Sequence, residues 1–145
     1  MEDVKTMMQS TIFISQVDQT RLENLIELVR REGGSSNAAY VDKLEEGLQF
    51  AEVVAPEEIP PDVVTMRSKV RFVDLDTREE TIYTIVFPTE AKPEEGMISV
   101  LAPLATALLG CTQGTTVEFQ APGRIRRLQI LEILYQPESA GDLDL

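Results

Sequence analysis

Two carboxylates stand three residues apart at Asp42 and Glu45. On a helix that spacing shares one face, so the pair could hold a cation between them or simply dress a solvated surface. Arg124, Arg126 and Arg127 form the densest basic group, with Lys69 and Arg71 on another segment. Strand alternation sends Arg124 and Arg126 to one side and Arg127 to the other, which reads first as a solvated sheet face and second as a partner contact. Phe72, Tyr83, Phe87, Phe119 and Tyr135 could line a concave pocket, but they are better explained as core. The chain has no histidine, which removes the commonest general base, the Ser-His and Cys-His nucleophile arrangements, and imidazole metal sites. Its single Cys111 leaves no internal disulfide and no cysteine-based zinc site within one chain. No glycine-rich loop of the phosphate-cradling kind is present. These residues therefore predict no catalytic group, no cofactor and no metal.

The charge balance points the same way. Of 145 residues, 13 are Lys or Arg and 25 are Asp or Glu, giving a net charge of −12. An anionic chain is poorly suited to neutralising phosphates, so direct sequence-specific DNA binding is not expected. It is suited to meeting a basic protein surface. The start, Met1-Glu2-Asp3-Val4-Lys5, has early acids and no long apolar run, which argues against a signal peptide and a membrane span. A cytoplasmic protein is the expectation, and one cysteine suits a reducing compartment.

The elements that must position these groups fall into two sets. Residues 1–16 end in Ile12-Phe13-Ile14, either a small strand or an anchored tail. Asp18 suits a helix N-cap, followed by an apolar stripe at Leu22, Leu25, Ile26 and Val29, widened by Leu28. Gly33-Gly34 stops the pattern, and Ser35-Ser36-Asn37 offers caps for a second helix with its stripe at Val41, Leu44, Leu48 and Ala51. So short a connection predicts an antiparallel pair, on the order of 22 Å long. It could project as a hairpin sealed by its own seam or lie flat on the rest of the core. Prolines at 56, 60 and 61 then mark a linker over 55–61, separating an N-terminal unit, 1–54, from a strand-rich unit, 62–137. Strands are expected around Val70 to Val73, from Thr81 to Phe87, Met97 to Leu101 and Thr115 to Gln120, and from Arg124 to Tyr135 with a bulge. Pro103 opens a short helix that Gly110 ends. The sum is an α+β fold: a helical hairpin, then an antiparallel sheet with one short helix, then a loose tail over 138–145.

The run Ile98-Ser99-Val100-Leu101-Ala102-Pro103-Leu104-Ala105-Thr106-Ala107-Leu108-Leu109-Gly110, with Gly114 and Pro122-Gly123, resembles the C-terminal domain of bacterial Gre transcript-cleavage factors. The segments Pro61 to Ser68 and Tyr135 to Asp142 sharpen the resemblance toward the branch called regulator of nucleoside diphosphate kinase. The resemblance implies an FKBP-like C-terminal domain that docks on the rim of the secondary channel of RNA polymerase. It also implies an antiparallel coiled-coil arm pointing toward that channel. Carried onto this chain, the polymerase-contacting turn is Leu101, Ala102 and Pro103, although Leu101 stands where cleavage factors often have a polar or acidic residue and could equally be core. Cleavage factors carry two carboxylates at the arm tip in a segment of the form Gly-Asp-Leu-x-Glu-Asn-Ala-Glu-Tyr, because a second Mg²⁺ needs hard oxygen ligands. The tip here is Gly33, Gly34, Ser35, Ser36 and Asn37, so the carboxylate positions fall on Gly33 and Ser36. Asp42 and Glu45, one or two turns down the second helix, are possible acidic arm contacts on outer faces that also carry Glu23, Glu27, Glu32, Glu46 and Glu52. The expected function is a non-catalytic regulator that competes with cleavage factors for polymerase and does not cleave. The alternatives are a peptidyl-prolyl isomerase, suggested by fold alone, and direct control of nucleoside diphosphate kinase.

Overall fold

The computed structural model describes residues 12–32 and 38–142. The expected tip, Gly33 to Asn37, lies outside the described residues. Strand β1 (Phe13–Ser15) pairs in parallel with β2 (Glu52–Val54), with Ile14 opposite Val53. Helix α1 (Gln16–Glu32) follows β1 directly. The Ser15 hydroxyl accepts the Asp18 amide at 3.0 Å, so Ser15 performs the capping expected of Asp18. Asp18 lies inside the first turn instead, with its side chain buried, because pairing of β1 fixes Ser15 as the last extended residue. Leu22 and Ile26 are buried and Leu25 and Val29 pack beside them. Leu28 does not widen the stripe: it is 47% exposed.

Helix α2 (Ala38–Phe50) buries Val41 and Leu44, with Leu48 and Ala51 half-buried on the same core. The last turns of α1 are tied to the first turns of α2 by Arg30, whose guanidinium reaches Asp42 at 2.7 Å and Glu45 at 2.9 Å.

The remaining strands are β3 (Lys69–Asp74), β4 (Glu80–Val86), β5 (Met97–Ser99), β6 (Thr116–Ala121) and β7 (Arg124–Tyr135). They form one five-stranded sheet in the order β5-β4-β3-β7-β6. The sheet is mixed, which corrects the antiparallel expectation: β4 and β5 run parallel, with Thr84 opposite Met97 and Val86 opposite Ser99. Two single-turn 3-10 helices, Pro88–Glu90 and Pro93–Glu95, carry the chain back to enter beside Thr84 in β4 and so reverse the direction that a hairpin would give. The register of β7 against β3 jumps at Leu134 and at Leu131, giving the bulged strand its bend.

Helix α3 (Pro103–Leu108) packs on β6. One buried cluster joins Phe72, Ile85, Leu108, Leu128 and Ile130 to Leu22, Ile26, Val41 and Leu44, so the helical pair and the sheet share a core. Phe72 and Tyr83 meet with ring centroids 5.6 Å apart, and Phe87 and Phe119 pack on the same cluster. Those aromatics serve packing, as the bland reading of their pattern held.

Residues beyond Tyr135 are not loose through Asp142. Pro137–Ala140 forms a helical turn, α4, capped by the Gln136 side chain, which accepts the Ser139 amide at 3.1 Å. The same side chain donates to the carbonyls of Pro60 at 2.8 Å and Val63 at 2.7 Å. The Thr65 hydroxyl donates to Glu138 at 2.8 Å, and the Tyr135 hydroxyl donates to Asp142.

Candidate docking surface

The turn between β5 and α3 is built by local hydrogen bonds. The Ser99 hydroxyl accepts the Leu101 amide at 3.1 Å, and the Ser99 carbonyl accepts the Ala102 amide at 3.0 Å. Ala102 is extended, with φ −66° and ψ 139°, and Pro103 follows at the first helical position, where its missing N–H costs nothing. The Thr106 hydroxyl closes the turn by donating to the Val100 carbonyl at 2.6 Å. Leu101 and Ala102 are half-buried and Pro103 is exposed. Leu101 thus belongs partly to the core and partly to the surface.

Across from this turn lies α2. Tyr40 and Lys43 face Leu101, Pro103, Glu118 and Phe119 over a cleft of about 350 Å³. Tyr40 is 43% exposed at the mouth of this cleft. The Arg126 guanidinium sits 5.6 Å from the centre of the Phe119 ring, a cation–π contact that holds the ring's far side. The cleft is mostly apolar at its centre with Lys43 and Glu118 at its rim.

Asp42 and Glu45 are not brought to this cleft. Both turn to Arg30 on α1, which holds the Glu45 carboxyl below the usual carboxylate range and raises its own pKa. The cation that the pair shares is therefore a guanidinium. Among the described residues no group of three or more cysteine, aspartate and glutamate side chains is arranged to hold a metal ion. The basic group of the last strand is also engaged: Arg126 bonds the buried Asp74 at 3.0 Å, Arg124 bonds Asp74 and Asp76, and Arg127 bonds Asp76 at 2.9 Å. Arg71 pairs with Glu80 at 2.8 Å and Glu132 at 3.2 Å on the outer sheet face. These arginines are engaged by the protein's own acids, Arg126 by a buried one.

Sequence reasoning missed Arg30 and Tyr40. No local spacing couples Arg30 to acids on another helix, and Tyr40 reads only as part of a tip segment. An arginine in the last turn of one helix facing an i, i+3 acid pair in the first turns of the next is the signal that could have found the first.

The family model for transcription elongation factor GreA/GreB, C-terminal, matches residues 59–135, a span that contains the turn at Leu101 and the whole sheet. This chain belongs to the GreA/GreB family. The regulator of nucleoside diphosphate kinase from Escherichia coli K12 is 36% identical over 137 residues, covering 94% of this chain and 98% of that protein. Transcription elongation factor GreA from Helicobacter hepaticus is 31% identical over 137 residues, covering 85% of this chain and 84% of the relative. A solved GreA/GreB elongation factor from Nitrosomonas europaea superposes with a TM-score of 0.69 at 43% identity, covering 86% of this chain and 98% of that one. The GreA/GreB relationship extends over the helices as well as the sheet. No helix among the described residues is long and apolar enough to cross a membrane.

Proposed function

We propose that this Gre-family protein is a cytoplasmic, non-catalytic regulator of RNA polymerase. It docks at the rim of the secondary channel through Leu101, Ala102 and Pro103, with an FKBP-like sheet domain as the docking module. Its antiparallel helical pair points toward the channel, and it competes with Gre cleavage factors without stimulating cleavage. The observation that carries this reading is Arg30, which occupies the two carboxylates of the first turns of the second helix, Asp42 and Glu45. The sequence from Gly33 to Asn37 supplies no acid to replace them. With Gly33 and Ser36 at the two carboxylate positions, the tip segment has no acid with which to hold a second Mg²⁺. A half-exposed apolar turn beside a cleft supports docking, and a net charge of −12 supports attraction to a basic surface that weakens with salt.

The test is a binding titration against polymerase at low and high salt with a Gre cleavage factor as competitor, alongside a cleavage assay on backtracked complexes. The protein is expected to bind, to be displaced by the competitor and to leave transcripts uncut, and Leu101→Asp is expected to weaken binding at least tenfold. Absence of binding at either salt, or cleavage that Asp42→Ala abolishes, overturns the reading. The name of the Escherichia coli relative supports a second reading, direct control of nucleoside diphosphate kinase; a change in the specific activity of purified kinase on adding this protein would favour it over the first.

A further inference from the structure

The joint between α1 and the sheet buries one carboxyl, that of Asp18, beside the buried hydroxyls of Ser15, Thr65 and Ser68. Asp18 is 5% exposed, and its Oδ2 accepts the Met66 amide at 3.3 Å. Residues 65–68 form a tight turn in which the Ser68 hydroxyl accepts the Thr65 amide at 2.8 Å and Arg67 takes a positive φ of 65°. The Thr65 hydroxyl in turn donates to Glu138 on α4. Three segments far apart in sequence therefore converge on Asp18: the first helix, the 65–68 turn and the C-terminal turn.

The charged groups around Asp18 are Arg21 on its own helix, Arg67 from the turn, and Glu138 and Asp142 from the C-terminal turn. Arg67 is directed to Glu90, at 2.5 Å, and over the Phe87 ring. From the 3-10 turn Pro56–Glu58 only Pro56 lines the site, and the Glu58 carboxylate bonds the Ala55 amide. A cavity of about 20 Å³ lies among these groups, room for one water whose oxygen could accept a hydrogen bond from the O–H of a neutral carboxyl.

We propose that Asp18 is a proton-operated clasp: uptake of one proton between pH 7.5 and pH 5 tightens the joint between the first helix and the sheet. Burial disfavours its charged form, the Glu138 carboxylate adds repulsion, and the Met66 amide, Arg21 and Arg67 offset only part of this, leaving the pKa raised from 3.8 to about 6. A carboxyl raised in the folded state stabilises it fully below pH 3.8 and loses that contribution as pH rises through about 6. Between pH 5 and 7.5 the unfolding constant then grows about tenfold. The window is unusually clean, because a chain without histidine lacks the side chain that ordinarily titrates there. Glu45, Asp74 and Glu90 have lowered pKa values, so their contributions are lost only at lower pH.

The experiment follows urea unfolding of the full chain from pH 5 to 7.5, with normalised amide exchange at Met66 as the local readout. Wild type is expected to show the tenfold change and stronger Met66 protection in acid. Asp18→Asn, whose amide oxygen can still accept the Met66 N–H, is expected to flatten both. Glu138→Gln is expected to move the midpoint to lower pH. A wild-type profile that is flat, or one that Asp18→Asn reproduces, overturns the clasp. If Asp18→Asn does not fold, the Glu138→Gln profile decides: a lowered midpoint supports the clasp and an unmoved one refutes it.

Discussion

Gly110→Ala should be among the most damaging single-methyl additions in this protein. Gly110 sits just past α3 with φ +82°, a conformation that costs a residue bearing a Cβ about 1–2 kcal/mol. Its amide donates to the Val64 carbonyl at 2.7 Å and its carbonyl accepts the Phe13 amide at 3.1 Å, so the backbone cannot relax without releasing β1 or the 62–66 segment. A Cβ built there would lie 2.1 Å from Cγ2 of Ile12 and 3.2 Å from the Phe13 carbonyl oxygen. Forcing such an overlap typically adds about 1–3 kcal/mol. The total, about 2–5 kcal/mol, can be read by urea denaturation followed by circular dichroism. Gly114→Ala and Gly123→Ala are the controls: both glycines have positive φ, and neither would bring a Cβ within 4 Å of anything. They should lose about 1–2 kcal/mol from backbone strain alone. Adding Ile12→Ala to Gly110→Ala removes the clashing methyl, so the pair should lose less than the sum of its parts. If Gly110→Ala costs no more than Gly114→Ala, the contact between the first strand and the end of α3 is not the constraint described.

Two further outcomes follow from burial. Leu22→Ala should destabilise the whole protein by about 2–5 kcal/mol in a single transition, because this helix residue is fully buried within the cluster that includes Phe72 and Ile130; a separate early transition for the helices in calorimetry would contradict a shared core. Burial raises the Cys111 thiol to about 11, so native protein at pH 8 should react with a chromogenic disulfide reagent far more slowly than unfolded protein, and equal rates would contradict that environment.

Much of the fold is written in local pattern. Leu22 and Ile26, then Val41 and Leu44, repeat at helical spacing and are buried together. Pro88 follows the end of β4, and Gly110 stands beyond α3 where a left-handed residue is needed. What local pattern cannot carry is direction and long-range pairing. The three residues of β5 have the same composition whether they run with β4 or against it, and the turns at Pro88 and Pro93 decide. Leu28 fits the stripe by spacing, yet among the described residues no element covers its side of α1. Asp18 has the residue type of a cap, but strand pairing moves the helix start to Ser15 and buries the acid. At the candidate surface, family resemblance singles out Leu101, Ala102 and Pro103, which lie in the turn from β5 into α3. The occupation of Asp42 and Glu45 was not legible, because Arg30 lies on a different helix.

The Gln136 side chain gives the stretch from Pro60 to Gln136 neighbouring ends, since one amide holds both carbonyls near its start. A segment whose doors open side by side behaves as a cassette. Whatever precedes it enters beside the place where the last strand leaves. A single glutamine latches those two ends together.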